Sequence, residues 1–189
     1  MKKEVKATTD LIPTPVVLVT TQGADGPPNI ITLAWAGVVN SEPPMVGIGI
    51  RPGRHSYGLL METRAFCVNI PHAGIIKAVD VCGVASGRDV DKFALTGLTP
   101  EAASRVKPPL IKECPINLEC RLVHTLALGS HTLFVGEILT AHRDEAVLDE
   151  KGRITMEKFA ALAYCPGVHD YRAIGEKLGR YGFSKGKMA

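Results

Sequence analysis

The sequence predicts a mainly β protein with helical insertions, built as a small Greek-key barrel. About six to eight segments rich in β-branched residues are separated by turn chemistry, and only two or three stretches carry helical spacing. Strand and helix do not alternate regularly, and no Gly-x-Gly-x-x-Gly follows a strand, which disfavours a doubly wound dinucleotide-binding fold. No repeat, low-complexity segment or linker interrupts the chain, so residues 1–189 make a single domain. At 189 residues and 46% hydrophobic content, such a domain buries a core without disulfides or a structural metal.

The first strand covers residues 15–21 and ends in Gln22-Gly-Ala-Asp-Gly-Pro-Pro28, a cluster of breakers that predicts a hairpin with residues 29–34 returning. After a loop through Asn40, Ser41, Glu42, Pro43 and Pro44, a strand over residues 45–50 alternates Gly47 and Gly49 with Val46, Ile48 and Ile50. Glycine on one face of a strand admits a second backbone or a flat ligand. Arg51-Pro-Gly-Arg-His-Ser56 then leads into a short helix over residues 57–62, with Ser56 as its N-cap. Strand character resumes at 65–70. Residues 74–97 mix helical spacing (Ile75, Ile76, Val79) with Ser86, Gly87, Arg88 and Asp89 and end in a helical run over 90–95, an excursion off the barrel. Residues 116–128 and 131–142, joined by Gly129-Ser130, make a long hairpin. A turn at Asp149-Glu-Lys-Gly152 follows, and residues 158–189 carry weak helical stretches with scattered glycine.

Charge and composition exclude several function classes. The 22 Lys and Arg are nearly balanced by 19 Asp and Glu, giving +3, so no nucleic-acid surface is indicated. From His169 onward five basic residues face two acidic ones, as in a solvated tail. No apolar run approaches the ~20 residues of a membrane span, and the apolar stretch after Lys2, Lys3 and Lys6 is broken by Pro13 and Pro15, so a cytoplasmic, non-membrane protein is expected. The five cysteines form no Cys-x-x-Cys pair, and the six histidines show neither His-x-x-x-His nor His-Glu-x-x-His. Reduced thiols and no metal site follow. Cys82, in the middle insertion, reads as an ordinary buried thiol.

Two stretches carry candidate chemistry. Residues 51–56 combine two guanidinium groups, an imidazole, a glycine and a hydroxyl at a helix start, which suits a phosphate and equally describes a solvated basic turn. Asn29-Ile-Ile-Thr32-Leu-Ala-Trp35 places the single Trp after a strand beside Ala34, Ala36 and Gly37. That Trp fits a core, or a bench for a planar heterocycle.

These segments occur in an order that resembles the flavin reductase-like FMN-binding split-barrel family, most like the flavoredoxins. The likeness spans nearly the whole chain. It rests on Pro13-Thr-Pro-Val16 with Leu18-Val-Thr20, Asn29 to Trp35, Ser41-Glu-Pro-Pro44, Arg51 to Ser56, Phe66-Cys-Val-Asn69, Ser86-Gly-Arg-Asp-Val-Asp-Lys-Phe93, and the tail Tyr171 to Phe183. The resemblance implies an FMN-binding split β-barrel and a homodimer, each barrel holding one FMN non-covalently near the subunit interface. It implies that Asn29, Thr32, Leu33, Ala34 and Trp35 line the flavin, largely through backbone groups, and that Arg54, His55 and Ser56 hold or flank its phosphate. Lys92, His131 and Tyr164 are the further cofactor-binding positions. The family often has Thr where this chain has Ser56, and an aromatic such as Phe where it has Tyr164.

The implied activity is that of an FMN oxidoreductase of flavoredoxin or NAD(P)H-dependent flavin or ferric reductase type, with no obligatory protein acid or base. Two alternatives stand beside it. One is an FMN electron carrier serving redox protein partners, and the other is a flavin storage or sensing module.

Overall fold

A computed structural model describes residues 1–187. Its strands are β1 (Thr14–Pro15), β2 (Val17–Gln22), β3 (Pro28–Leu33), β4 (Ala36–Ser41), β5 (Pro44–Ile50), β6 (Ala65–Ile70), β7 (Pro100–Glu101), β8 (Leu110–Ile111), β9 (Ile116–Ala127), β10 (Thr132–Arg143), β11 (Leu162–Cys165) and β12 (Asp170–Ala173). Its helices are α1 (His55–Thr63), α2 (Ile76–Val84) and α3 (Lys92–Thr96). Seven strands form one antiparallel sheet in the order β3-β2-β6-β9-β10-β5-β4. A small sheet, β1-β11-β12, lies beside it, and β7 pairs with β8. This is the mainly β, split-barrel architecture that the sequence predicts.

Two apolar clusters share the first hairpin. Val17, Val19, Ile31 and Leu33 enter a core with Ile48, Leu60, Phe66 and Phe134. Val16, Leu18 and Ile30, on the opposite face, pack under the insertion with Val79, Cys82, Phe93 and Ile111. Burial on both faces explains why β2 opens on three consecutive apolar residues, Val17 to Val19, rather than an alternation. Each fully buried Phe contributes about 1.5–3 kcal/mol by leaving water. Thr32 Oγ1 donates to the Val79 carbonyl at 2.5 Å and so fastens β3 to α2.

The long hairpin β9–β10 changes register between Val135 and Gly136 and again between Ile138 and Thr140. Gly136 is required there, because a Cβ at that position would overlap the Phe66 ring. On β9 the carboxylate of Glu119 is fully buried. It accepts from Ser104 N and Oγ (2.9 Å each), Arg105 N (2.6 Å) and Val106 N (3.2 Å), and it pairs with His142 Nε2 at 2.6 Å. Burial alone would raise its pKa. The bonds from Ser104, His142 and Arg105 overcome that and hold it at about 2.

The fold departs from the sequence reading in four places. Residues 36–41, partly read as loop, form the edge strand β4, which is short and largely solvent-exposed and therefore lacks a buried apolar stripe. In the tail, β11 and β12 stand where weak helix was expected. These four-residue strands exist because β1 pairs with β11, a contact across 150 positions of sequence that no local pattern encodes. The only helical element described in the tail is the short turn Phe183–Lys187, and residues 188–189 lie outside the described chain. Finally, α1 opens at His55 with Arg54 as its cap residue, so Ser56 lies inside the helix and caps nothing. The last insertion helix starts at Lys92 rather than at 90, because the Asp91 side chain caps it by accepting from Ala94 N. No helix among the described residues is long and apolar enough to cross a membrane.

Candidate functional site

A groove crosses the end of the first hairpin and holds two connected cavities. The larger, about 450 Å³, falls within the roughly 300–1,000 Å³ of small-ligand pockets. Its floor is Thr32, Leu33, Ala34 and Trp35, where the chain leaves β3 and turns into β4. Gly49 N donates to the Trp35 carbonyl at 2.7 Å. A Cβ at Gly49 would stand 3.1 Å from Trp35 Cβ, so this glycine of the alternating pair makes room for the indole. Trp35 is 39% exposed and therefore a wall rather than core. It stacks on His131 with ring centroids 6.2 Å apart.

The facing wall comes from the small sheet. Tyr164 lies opposite Tyr171 in the β11–β12 register, with ring centroids 5.4 Å apart. The Tyr164 hydroxyl is hydrogen-bonded to His169 Nδ1 at 2.9 Å. Tyr171 O–H donates to Asp80 Oδ1 at 3.3 Å, and burial followed by the Asp80 charge pushes this phenol up to about 12.

The smaller cavity, about 70 Å³, is polar and has no carboxylate in its lining. It meets the larger one at Ile31, Arg54 and Gly83. No side chain caps the N-terminus of α1, and while the amides of Arg54 and Tyr57 bond to Arg51 O and Arg54 O, those of His55 and Ser56 are left free for a ligand. Asn29 Nδ2 donates to Ser56 Oγ at 2.7 Å beneath it. Arg88 Nη1 donates to the Gly53 carbonyl at 2.8 Å and ties the insertion to the basic loop. Gly87 lets the backbone close over Asn29, since a Cβ there would overlap the Asn29 side-chain oxygen. Lys92 is 4% exposed, and its ammonium donates to Ile30 O and Cys82 O at 2.8 and 2.7 Å. Burial lowers its pKa, and Arg54 lowers it further against an opposing influence of Cys82.

None of Arg54, Arg88 and Lys92 belongs to an ion pair among the described residues. A buried ammonium held only by carbonyls is costly unless an anion joins it, and two bonds leave one of its three donors over. An uncapped helix start beside such a group has the donor set a phosphate requires. An apolar, aromatic cleft of sufficient volume adjoins it. The residues present therefore fit a phosphorylated planar heterocycle such as FMN.

All eleven sequence-predicted positions line this groove. Thr32, Leu33, Ala34, Trp35, His131 and Tyr164 line the larger cavity, Asn29, His55, Ser56 and Lys92 the smaller, and Arg54 both. Sequence reasoning missed Asp80, His169 and Tyr171 as wall residues. Asp80 lies on a helix with no local signature, and the other two depend on the β11–β12 pairing. The Ser86-Gly-Arg88 motif was the available signal for Arg88. Cys82 borders the smaller cavity but has no exposed surface, and burial pushes its thiol up to about 11, so it is not a reactive thiol.

Residues 9–172 match the family described as "Flavin reductase like domain". The flavoredoxin of Desulfovibrio vulgaris (Miyazaki F) is 36% identical, with 98% of this chain and 100% of that one covered and a TM-score of 0.91. The flavoredoxin from Methanosarcina acetivorans is 32% identical over 99% and 100% of the two chains, with a TM-score of 0.89. An FMN-binding protein from Thermus thermophilus, solved with bound 1-cyclohex-2-enone, is 25% identical over 95% and 97%, with a TM-score of 0.79. The chain thus belongs to the flavin reductase-like family and is most like the flavoredoxins.

Proposed function

We propose that this protein is an FMN-dependent oxidoreductase that binds its flavin non-covalently in the groove, with NAD(P)H as donor and a flavin, ferric complex or redox protein as acceptor. The observation that carries this reading is the buried Lys92 ammonium, with no carboxylate partner among the described residues, beside the uncapped start of α1 in a polar cavity that adjoins an aromatic cleft. Arg54, Lys92 and the first amides of α1 bind the phosphate, and His55 and Ser56 flank it. Asn29 positions Ser56 through its 2.7 Å bond. Residues 32–35 present backbone groups to the ring, and Trp35 with His131 closes one side. Tyr164, held by His169, limits access from the other. Bound FMN supplies hydride acceptance and electron exchange in ones or pairs, so the chain itself provides orientation, charge and exclusion of water.

A homodimer is part of the proposal. The edge strand β4 exposes Val38 and Val39, at 77% and 53%, as an apolar margin that a second copy would cover. Five free thiols suit a reducing, cytoplasmic setting.

The test is reconstitution of the apoprotein with FMN and with riboflavin, followed by Arg54→Ala. The variant is expected to weaken FMN more than riboflavin, and equal weakening rejects the phosphate assignment. Steady-state turnover with NADH or NADPH and free flavin or ferric chelate separates a reductase from an electron carrier.

A further inference from the structure

One side chain in the smaller cavity has a charge that depends on its neighbours. His55 opens α1 and lines that cavity, with its ring against the backbone at Gly87. The charged and titratable groups around it are Arg54 from the preceding loop, Arg88 from the insertion loop, Lys92 from α3 and Cys82 from α2. Asn29, Ser56 and Ser86 add neutral polar groups, and the lining holds no carboxylate. Burial, then Arg88 and Lys92, lower the imidazole's pKa, which keeps it neutral near pH 7 in the apoprotein. A phosphate dianion placed in the same cavity reverses that balance, because an adjacent negative charge favours imidazolium.

Resting on the FMN reading, we propose that His55 takes up one proton as the cavity accepts a phosphomonoester dianion, so that phosphate binding and protonation of this imidazole are a single linked event. The balance is simple: one proton leaves solvent, one N–H bond forms on His55, and the dianion is unchanged. His55 then acts as a specificity-determining donor. It adds a charge-assisted contact for a phosphorylated flavin and nothing for an unphosphorylated one.

The experiment titrates the full-length apoprotein with FMN and, separately, riboflavin from pH 6.5 to 8.5. Calorimetry in two buffers of different ionisation heat counts protons. Wild-type FMN affinity is expected to fall toward tenfold per pH unit across the upper part of this range, with uptake approaching one proton, while riboflavin shows no slope. His55→Gln is expected to flatten the FMN slope with riboflavin affinity unchanged, and Lys92→Gln to retain it. The ³¹P shift of bound FMN should stay that of a dianion throughout. FMN binding without a pH slope, a slope that survives in His55→Gln, or a ³¹P shift that moves to the monoanion each overturns the inference and leaves the FMN reading standing. Failure of both flavins to bind overturns the FMN reading itself.

Discussion

Replacing Lys92 by Gln removes one charge from the smaller cavity and little else. In the native chain the ammonium is buried, donates to Ile30 O and Cys82 O at 2.8 and 2.7 Å, and has no carboxylate partner. The glutamine amide still offers two N–H donors, so those carbonyls need not be orphaned. Losing two charge-assisted bonds is offset by no longer burying an ion, and apoprotein stability is expected to change by no more than about 1 kcal/mol. The phosphate has no such compensation. It loses a charge-assisted hydrogen bond of about 1.5–3 kcal/mol, a weakening of roughly 10- to 150-fold. Riboflavin, which lacks the phosphate, is expected to weaken less than about threefold. Flavin-fluorescence titrations of both ligands, with a thermal melt of each apoprotein, measure all three quantities. Equal weakening of FMN and riboflavin, or unchanged affinity for both in a folded variant, would show that Lys92 does not serve the phosphate.

Four further outcomes follow from the packing. The Glu119 carboxyl is held at about 2, below its ordinary value of 4.5, so its contribution is complete above about pH 4.5 and is lost as the pH falls through about 2. That contribution amounts to up to about 3 kcal/mol. Hydrogen exchange at the Ser104, Arg105 and Val106 amides should accelerate across that window, and unchanged protection at pH 2 contradicts the assignment. Gly87→Ala forces a methyl into the Asn29 side chain and is expected to cost about 1–3 kcal/mol and to weaken FMN. Gly26→Ala, at a position with nothing within 4 Å, should stay within about 0.5 kcal/mol in the same denaturation assay. Gly136→Ala drives a methyl into the Phe66 ring and should destabilise by about 1–3 kcal/mol in urea melts with an unchanged m-value. A neutral result would mean that Phe66 moves aside freely.

The parts of the fold legible in the sequence were those whose signals are local. The hairpin β2–β3 is announced by its breaker cluster, β9–β10 by Gly129-Ser130 between two long β-branched runs, and the insertion by helical spacing around Val79. The strands of the small sheet were not legible, since each is too short to carry a period and exists only through pairing with distant residues. The same division runs through the groove. Trp35 and the 51–56 loop stand out by composition, whereas Asp80 and His169 become wall residues only once α2 and β12 are folded against the barrel. Ser56 illustrates a different failure. Its residue type suits an N-cap, but the helix begins one residue before it, and its hydroxyl instead receives the Asn29 amide.

On β2, Leu18 and Val19 are consecutive, yet one faces the insertion and the other the barrel interior. A single strand therefore serves as the partition between two apolar compartments, and neither can lose its packing while the other keeps both of its walls. The insertion that closes over the basic cavity is thus no detachable lid. Its opening would uncover Val16, Leu18 and Ile30 on the outer face of the first hairpin.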